Sequence, residues 1–238
     1  ADITASGNIS GVTTLVLADV GGTATLSGDV DINNLVVDNT VANVAFTGNG
    51  SSVTSAVAFA NDGTLTLGTS GGTQTYGGGL TTTSVGSTVT LNGTLATSND
   101  AVVLGAVTLG SATTIDTNAS STTGDITIAA VTGGSNALTL NPGNVDDADI
   151  TASGAISGVT TLTLEDVGGT ATLSADVDVS TLVVDTVNNL VFTGNGSSVV
   201  NALTFNDVGD LTLGTSGGTQ TFDGGLNTTG ADSTVTLN

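Results

Sequence analysis

The chain of 238 residues contains no Lys, Arg, His, Cys, Met or Trp, and a single Pro. Each absence excludes a chemistry. Without His there is no imidazole base or proton shuttle at neutral pH. Without Lys there is no Schiff-base nucleophile, and without Arg no bidentate clamp for phosphate or carboxylate. A structural zinc site or a blue-copper site needs Cys or His, and neither is available. Nucleic acid is excluded as a partner, because binding it requires Lys and Arg to displace counterions from the phosphates. No apolar run approaches the ~20 residues that span a bilayer, so membrane insertion is not expected, and no signal peptide opens at Ala1. Trypsin has no site.

What is present is acidic and aliphatic. Twenty-one Asp and Glu face no cation, giving a formal charge of −21. Hydrophobic residues make up 38% and aromatic residues only 3%, so the core is mainly Val, Leu, Ile and Ala, with five Phe and one Tyr. An acidic chain rich in Gly, Ser and Thr invites disorder. The abundance of β-branched apolar residues and a mean hydropathy of +0.36 argue for a folded chain instead.

The recurring local pattern is a short alternation: Thr14-Leu15-Val16-Leu17, Thr23-Ala24-Thr25-Leu26, Thr64-Leu65-Thr66-Leu67, Thr88-Val89-Thr90-Leu91 and Asp125-Ile126-Thr127-Ile128. Period two with Thr, Val, Ile and Leu describes half-buried strands, apolar side chain inward and Thr outward. Gly-rich turn signals such as Gly21-Gly22, Gly48-Asn49-Gly50 and Gly71-Gly72 separate them. The fold class is all-β.

A long repeat sets the architecture. Residues 1–7 (ADITASG) return at 148–154, and 19–27 (DVGGTATLS) at 166–174. Residues 46–53 (FTGNGSSV) return at 192–199, 65–75 (LTLGTSGGTQT) at 211–221, and 87–92 (STVTLN) at 233–238. Inward residues recur at intervals near 21: Leu17 to Val37 to Phe59, Phe46 to Leu67 to Leu91, then Leu91 to Leu109 to Ile128. Such spacing suits one coil of a parallel β-helix, or β-solenoid. Residues 1–238 then form one continuous array, with a long repeat 1–147 of seven rungs and a partial second copy 148–238. Inward positions exchange apolar for apolar (Ile32 to Val179, Val44 to Leu190, Val57 to Leu203, Tyr76 to Phe222), while outward ones change character (Ala18 to Glu165, Gly77 to Asp223, Thr81 to Asn227). Tandem β-sandwich domains are the alternative; they leave residues 93–147 as a domain too short to stand alone.

The middle segment carries a resemblance. Residues 106–117 (AVTLGSATTIDT), 124–128 (GDITI) and 136–141 (NALTLN) resemble repeats of the filamentous-haemagglutinin-like and autotransporter-like β-strand-repeat exoproteins of bacteria. The resemblance is to a class. It implies a right-handed β-helix, secreted and working in adhesion, matrix or surface coating at the cell surface or outside the cell.

Carboxylates are the only chemically suggestive groups. Asp29-Val30-Asp31 recurs as Asp176-Val177-Asp178, and Asp146, Asp147 and Asp149 form the densest acidic stretch. Asp-x-Asp on a strand places both carboxylates on one face about 7 Å apart, a spacing a glycosidase pair can use. No Trp and one Tyr leave little to grip a sugar, so catalysis is not expected. Oxygen-only ligands suit calcium, and weak calcium binding at these seven Asp is the metal expectation, although neither an EF-hand loop nor the Gly-Gly-x-Gly-x-Asp nonapeptide is present. Diffuse divalent-cation association is expected more strongly: about eleven rungs at ~4.8 Å put one charge every ~2.5 Å, against ~1.7 Å for duplex DNA.

The sequence therefore predicts a non-enzymatic structural segment of a secreted filament, stalk or matrix, with an adhesin recognising glycans or a host surface as the alternative. Neither residues 1–10 nor 229–238 read as a cap, which predicts end-to-end or lateral self-assembly or continuation into further repeats. Sequons at Asn8, Asn49, Asn92, Asn118, Asn195 and Asn227 arise readily from this composition.

Overall fold

Alternating Thr and aliphatic residues, broken every few positions by Gly, Asn or Asp, form strands too short to stand alone. They gain partners only by stacking on the same segment one coil later. The computed structural model describes residues 1–117, 120, 124–231 and 234–238; Asn118 and Ser233, used in the sequon and repeat readings, lie outside the described residues. Every named strand pairing is parallel. That excludes the tandem sandwich, whose sheets are antiparallel. The chain is a β-solenoid of about 11 turns with rungs of ~21 residues.

Each turn has three faces. The first turn supplies strands Ile3–Ala5, Ile9–Ser10 and Thr14–Leu17; the second supplies Thr23–Leu26, Val30–Ile32 and Asn34–Val37. Later the corners straighten and strands merge, so that Val102–Asp116 runs along the third, first and second faces in turn. On the first face the inward column runs Ile3, Ala24, Val44, Leu65, Val89, Val107, Val131, Ile156, Val177. On the third it runs Val57, Leu80, Val102, Ile126, Ile150, Ala171, Leu190, Leu211, Val235. Away from the end turns these side chains are buried, each Val, Leu or Ile stabilising the stack by ~1.5–3 kcal/mol. In the first and last turns Ile3 and Leu237 are 47% and 72% exposed.

The two columns revise the repeat. Seven steps along the first face lead from Ile3 to Ile156. Ile150, the sequence equivalent of Ile3, stands on the third face, one face earlier. The 147-residue spacing is thus six and two-thirds turns rather than seven, and the second copy is rotated by one face relative to the first. The cause is uneven rungs: Val89 to Val107 takes 18 residues, Val107 to Val131 takes 24 and Val131 to Ile156 takes 25.

Every aromatic residue serves the lumen. Phe46, Phe59 and Tyr76 come from the first, third and second faces, with ring centroids 6.3–6.5 Å apart. Phe192 and Phe222 repeat the contact at 6.3 Å, edge to face, with Phe205 buried in the same copy. In the first plug the Tyr76 hydroxyl donates to Gln74 Oε1 at 2.9 Å, and Gln74 Nε2 donates to the Phe46 and Gly48 carbonyls. Burial pushes the Tyr76 phenol well above its ordinary value near 10.

Candidate functional site

The conspicuous Asp residues divide into two kinds. Asp29 Oδ1 accepts the Gly50 N–H at 2.8 Å, Asp176 Oδ1 the Gly196 N–H at 2.7 Å and Asp149 Oδ1 the Thr170 N–H at 2.7 Å, each one coil further on. Asp2, Asn8, Asn43, Asp125, Asn195 and Asp210 act alike on Thr23, Asp29, Thr64, Asp149, Thr219 and Thr234. At corners where the sheet ladder stops, a side-chain oxygen closes the gap and satisfies an amide that the turn leaves open. These Asp and Asn residues are inter-coil staples.

Asp31 and Asp178 differ. Both are exposed on outward strand positions. Asp31 pairs with Ser10 above and Ser52 below, and Asp178 with Ser157 and Ser198. Each carboxylate is therefore spaced from other charges by hydroxyls along its column, which avoids the penalty of like charges directly opposite. Asp146 and Asp147 are exposed in a turn, where Asp147 takes φ 69°. Among the described residues no three His, Cys, Asp or Glu side chains gather closely enough to hold a metal ion. The seven Asp named from sequence are thus dispersed: three are staples, two are ladder positions and two belong to a turn.

The repeated Asp-x-Asp does mark a shaped surface. A groove of about 470 Å³ is lined by Gly11, Val12, Thr13, Asp31, Ile32, Asn33, Ser52 and Thr54. A second, of about 400 Å³, is lined by Ser135, Gly158, Val159, Thr160, Asp178, Val179, Ser180, Ser198 and Val200. Ser135 aside, the second set is the sequence copy of the first. Gly11 and Gly158 adopt φ of 74° and 67°, and at Gly158 the ladder slips register between Ser157 and Val159. A bulge of this kind bends the strand away from its neighbour, and the second groove lies beside it. Two further concavities bear Asp100 and Asp125 in one case and Asp146 and Asp207 in the other.

Chemically the paired grooves offer hydroxyls, amide groups and one carboxylate apiece. A glycosidase needs two carboxylates across the scissile bond, and among the described residues each groove is lined by only one. Five of the six aromatic side chains are buried in the lumen, and the sixth, Phe222, is partly buried against it, so no open aromatic platform is offered to a sugar. Sequence reasoning missed the staples and the grooves. The staples had left a signal: Asp or Asn placed 20–24 residues before the amide it accepts.

Compared with known proteins, the chain matches no family model, no curated protein and no solved structure. Among the described residues no helix is long and apolar enough to cross a membrane.

Proposed function

We propose that this chain is a non-enzymatic structural segment of an extracellular or cell-surface filament, stalk or coat. The observation that carries the reading is the unbroken parallel ladder. One outward column on the first face runs Thr4, Thr25, Ala45, Thr66, Thr90, Thr108, Thr132, Ser157, Asp178, Ser198, Thr221, crossing the boundary between the copies without interruption. Many chemically capable groups are committed to that rod: the aromatic residues to the lumen, and Asp2, Asp29, Asp125, Asp149, Asp176 and Asp210 to staples. End-to-end contact belongs to this reading, because parallel rungs can pair with a further rung of the same kind. Lateral packing between rods of charge −21 calls for cations between them.

Electron microscopy of the native assembly, with antibody labelling of intact and lysed cells, tests this reading. It predicts surface-labelled rods lengthened by about 50 Å per copy of this segment. Intracellular label, or compact particles without a rod, contradicts it. Among the described residues the adhesin alternative gains no exposed aromatic platform.

A further inference from the structure

We propose that spontaneous backbone isomerisation in this chain is directed to one turn, Asp223-Gly224, and is held back at every other Asn-Gly or Asp-Gly junction by bonds between coils. This goes beyond the structural role, and holds whether or not the rod belongs to a filament.

An Asn or Asp followed by Gly can cyclise. The Gly nitrogen attacks the side-chain Cγ, expelling ammonia from Asn or water from Asp, and a succinimide forms. Water then opens the ring at either carbonyl, leaving Asp or isoaspartate, in which the main chain runs through the side-chain carbon. Gly favours the reaction because it carries no Cβ to hinder its nitrogen. The chain has five such junctions: Asn49-Gly50, Asp62-Gly63, Asn92-Gly93, Asn195-Gly196 and Asp223-Gly224.

In four of them the attacking nitrogen is engaged. The Gly50 N–H donates to Asp29 Oδ1 at 2.8 Å, and the Gly196 N–H to Asp176 Oδ1 at 2.7 Å. The Gly93 N–H donates to Ser111 Oγ at 3.3 Å, and the Gly63 N–H to the Ala42 carbonyl at 2.6 Å. Attack requires the nitrogen to give up this proton and turn towards Cγ. A carboxylate acceptor opposes it further, since negative charge on the nitrogen would face a negative oxygen. Two of the Asn side chains are tied as well: Asn195 Oδ1 accepts the Thr219 N–H, and Asn92 Nδ2 donates to the Leu67 carbonyl.

Asp223-Gly224 differs. It is the centre of a turn closed by the Gly225 N–H on the Phe222 carbonyl at 3.0 Å, and both residues are exposed. Among the described residues the Gly224 N–H has no acceptor. The equivalent turn of the first copy, Gly77-Gly78, is closed in the same way by Gly79 on Tyr76 and is followed by a further stacked coil. There too the Gly78 N–H has no acceptor among the described residues. The open amide therefore belongs to the turn itself, and only the second copy places a carboxyl beside it. Isoaspartate at this point lengthens the main chain just before the strand Leu226–Ala231, and so disturbs its register against Leu203 and Thr204.

The test follows isoaspartate by liquid chromatography and electron-transfer mass spectrometry of elastase peptides, after incubating the chain at neutral pH either folded or in denaturing urea. In urea the Asn junctions convert first, because a carboxamide cyclises more readily than an ionised carboxylate. In the folded chain the order reverses, and isoaspartate accumulates first at Asp223. Asp223→Gly, which restores the residue of the first copy, abolishes that product alone. Asp29→Ala raises conversion at Asn49 about tenfold, as loss of one hydrogen bond to a charged acceptor implies. Asn195, whose staple is intact, keeps its rate in that variant, and Asp29→Asn leaves both rates unchanged. The same order in folded and unfolded chains overturns the proposal. So does an Asp29→Ala chain in which Asn49 is unchanged or slower, or in which Asn49 and Asn195 rise together through opening of the whole rod.

Discussion

Ile3 and Ile150 hold the same place in two nearly identical stretches of sequence and stand on different faces of the solenoid. Ile3 pairs with Ala24 on the first face, whereas Ile150 lies between Ile126 and Ala171 on the third. The duplicated sequence is therefore re-used with its environment rotated. This works because the three faces make nearly the same demand: an aliphatic residue inward, a small polar one outward, and a turn that returns the chain. The second copy needs only a neighbour one coil away, whichever face it occupies.

The buried aromatic network makes stability at alkaline pH depend on a single side chain. Tyr76 is the only tyrosine, and there is no Lys, Arg, His or Cys to titrate alongside it. Its folded-state pKa is raised above the ordinary value near 10 by burial. The folded chain thus keeps the phenolic proton longer than the unfolded chain, and stability, complete below pH 10, falls as pH rises beyond it. Tyr76→Phe removes this alkaline decline. At neutral pH it also leaves Gln74 Oε1 without the donor it has now, and costs about 1–3 kcal/mol. Urea unfolding of both proteins at several pH values between 7 and 12 measures both effects.

Phe59→Ala opens the lumen where three aromatic rings meet. A loss of about 3–5 kcal/mol is expected, as for large-to-small changes in packed cores. Thermal and urea unfolding check it; a loss below 1 kcal/mol would mean that the plug is not packed.

Asn61 marks a correctable defect. It is fully buried, and its Oδ1 has no hydrogen-bond partner. By backbone pairing it lies between Val41 of the preceding coil and Val85 of the next, and the matching corner of the second copy holds Val208 beneath Val187. Its Nδ2 donates to the Thr64 carbonyl, which also accepts the Val44 N–H and so stays satisfied without it. Asn61→Val is expected to raise the melting temperature by about 2–4 °C, equivalent to ~1 kcal/mol in a chain of this size. Calorimetry decides the sign.

The staple role of Asp29 and Asp176 separates from metal binding by substitution. Asn supplies the same acceptor oxygen without the charge, as Asn8, Asn43 and Asn195 do elsewhere in the chain. Asp29→Asn is therefore expected to keep its stability, while Asp29→Ala loses about 0.5–1.5 kcal/mol. A melting temperature for Asp29→Asn that drops in calcium and not in chelator would point to a cation ligand instead.

Much of the architecture was legible because period two and period 21 are both carried by side-chain type. Leu17, Val37 and Phe59 are stacked as their spacing predicts, and so are Phe46, Leu67, Leu91 and Leu109. The reading then slipped. Ile128, counted as the residue below Leu109, pairs with Leu104 on the third face. An apolar-Thr-apolar strand looks the same on every face, so counting locates a strand without naming its face, and rungs of 18 to 25 residues hide a missing third of a turn. The Asp residues were harder still. Nothing in the triplet Asp29-Val30-Asp31 says that the first carboxylate caps the next coil and the second faces solvent.

Disulfide formation tests the central claim most directly, in a chain with no cysteine of its own. The solenoid places Thr127 beside Thr151 and Thr132 beside Ser157. Parallel neighbours in adjacent coils lie close enough to bridge. Thr127→Cys/Thr151→Cys and Thr132→Cys/Ser157→Cys should each oxidise to an intramolecular disulfide under mild conditions. Thr132→Cys/Thr151→Cys, the neighbours if the second copy began in phase with the first, should remain reduced. A disulfide in that third variant, with none in the first two, would contradict the rotated copy and the register of the solenoid with it.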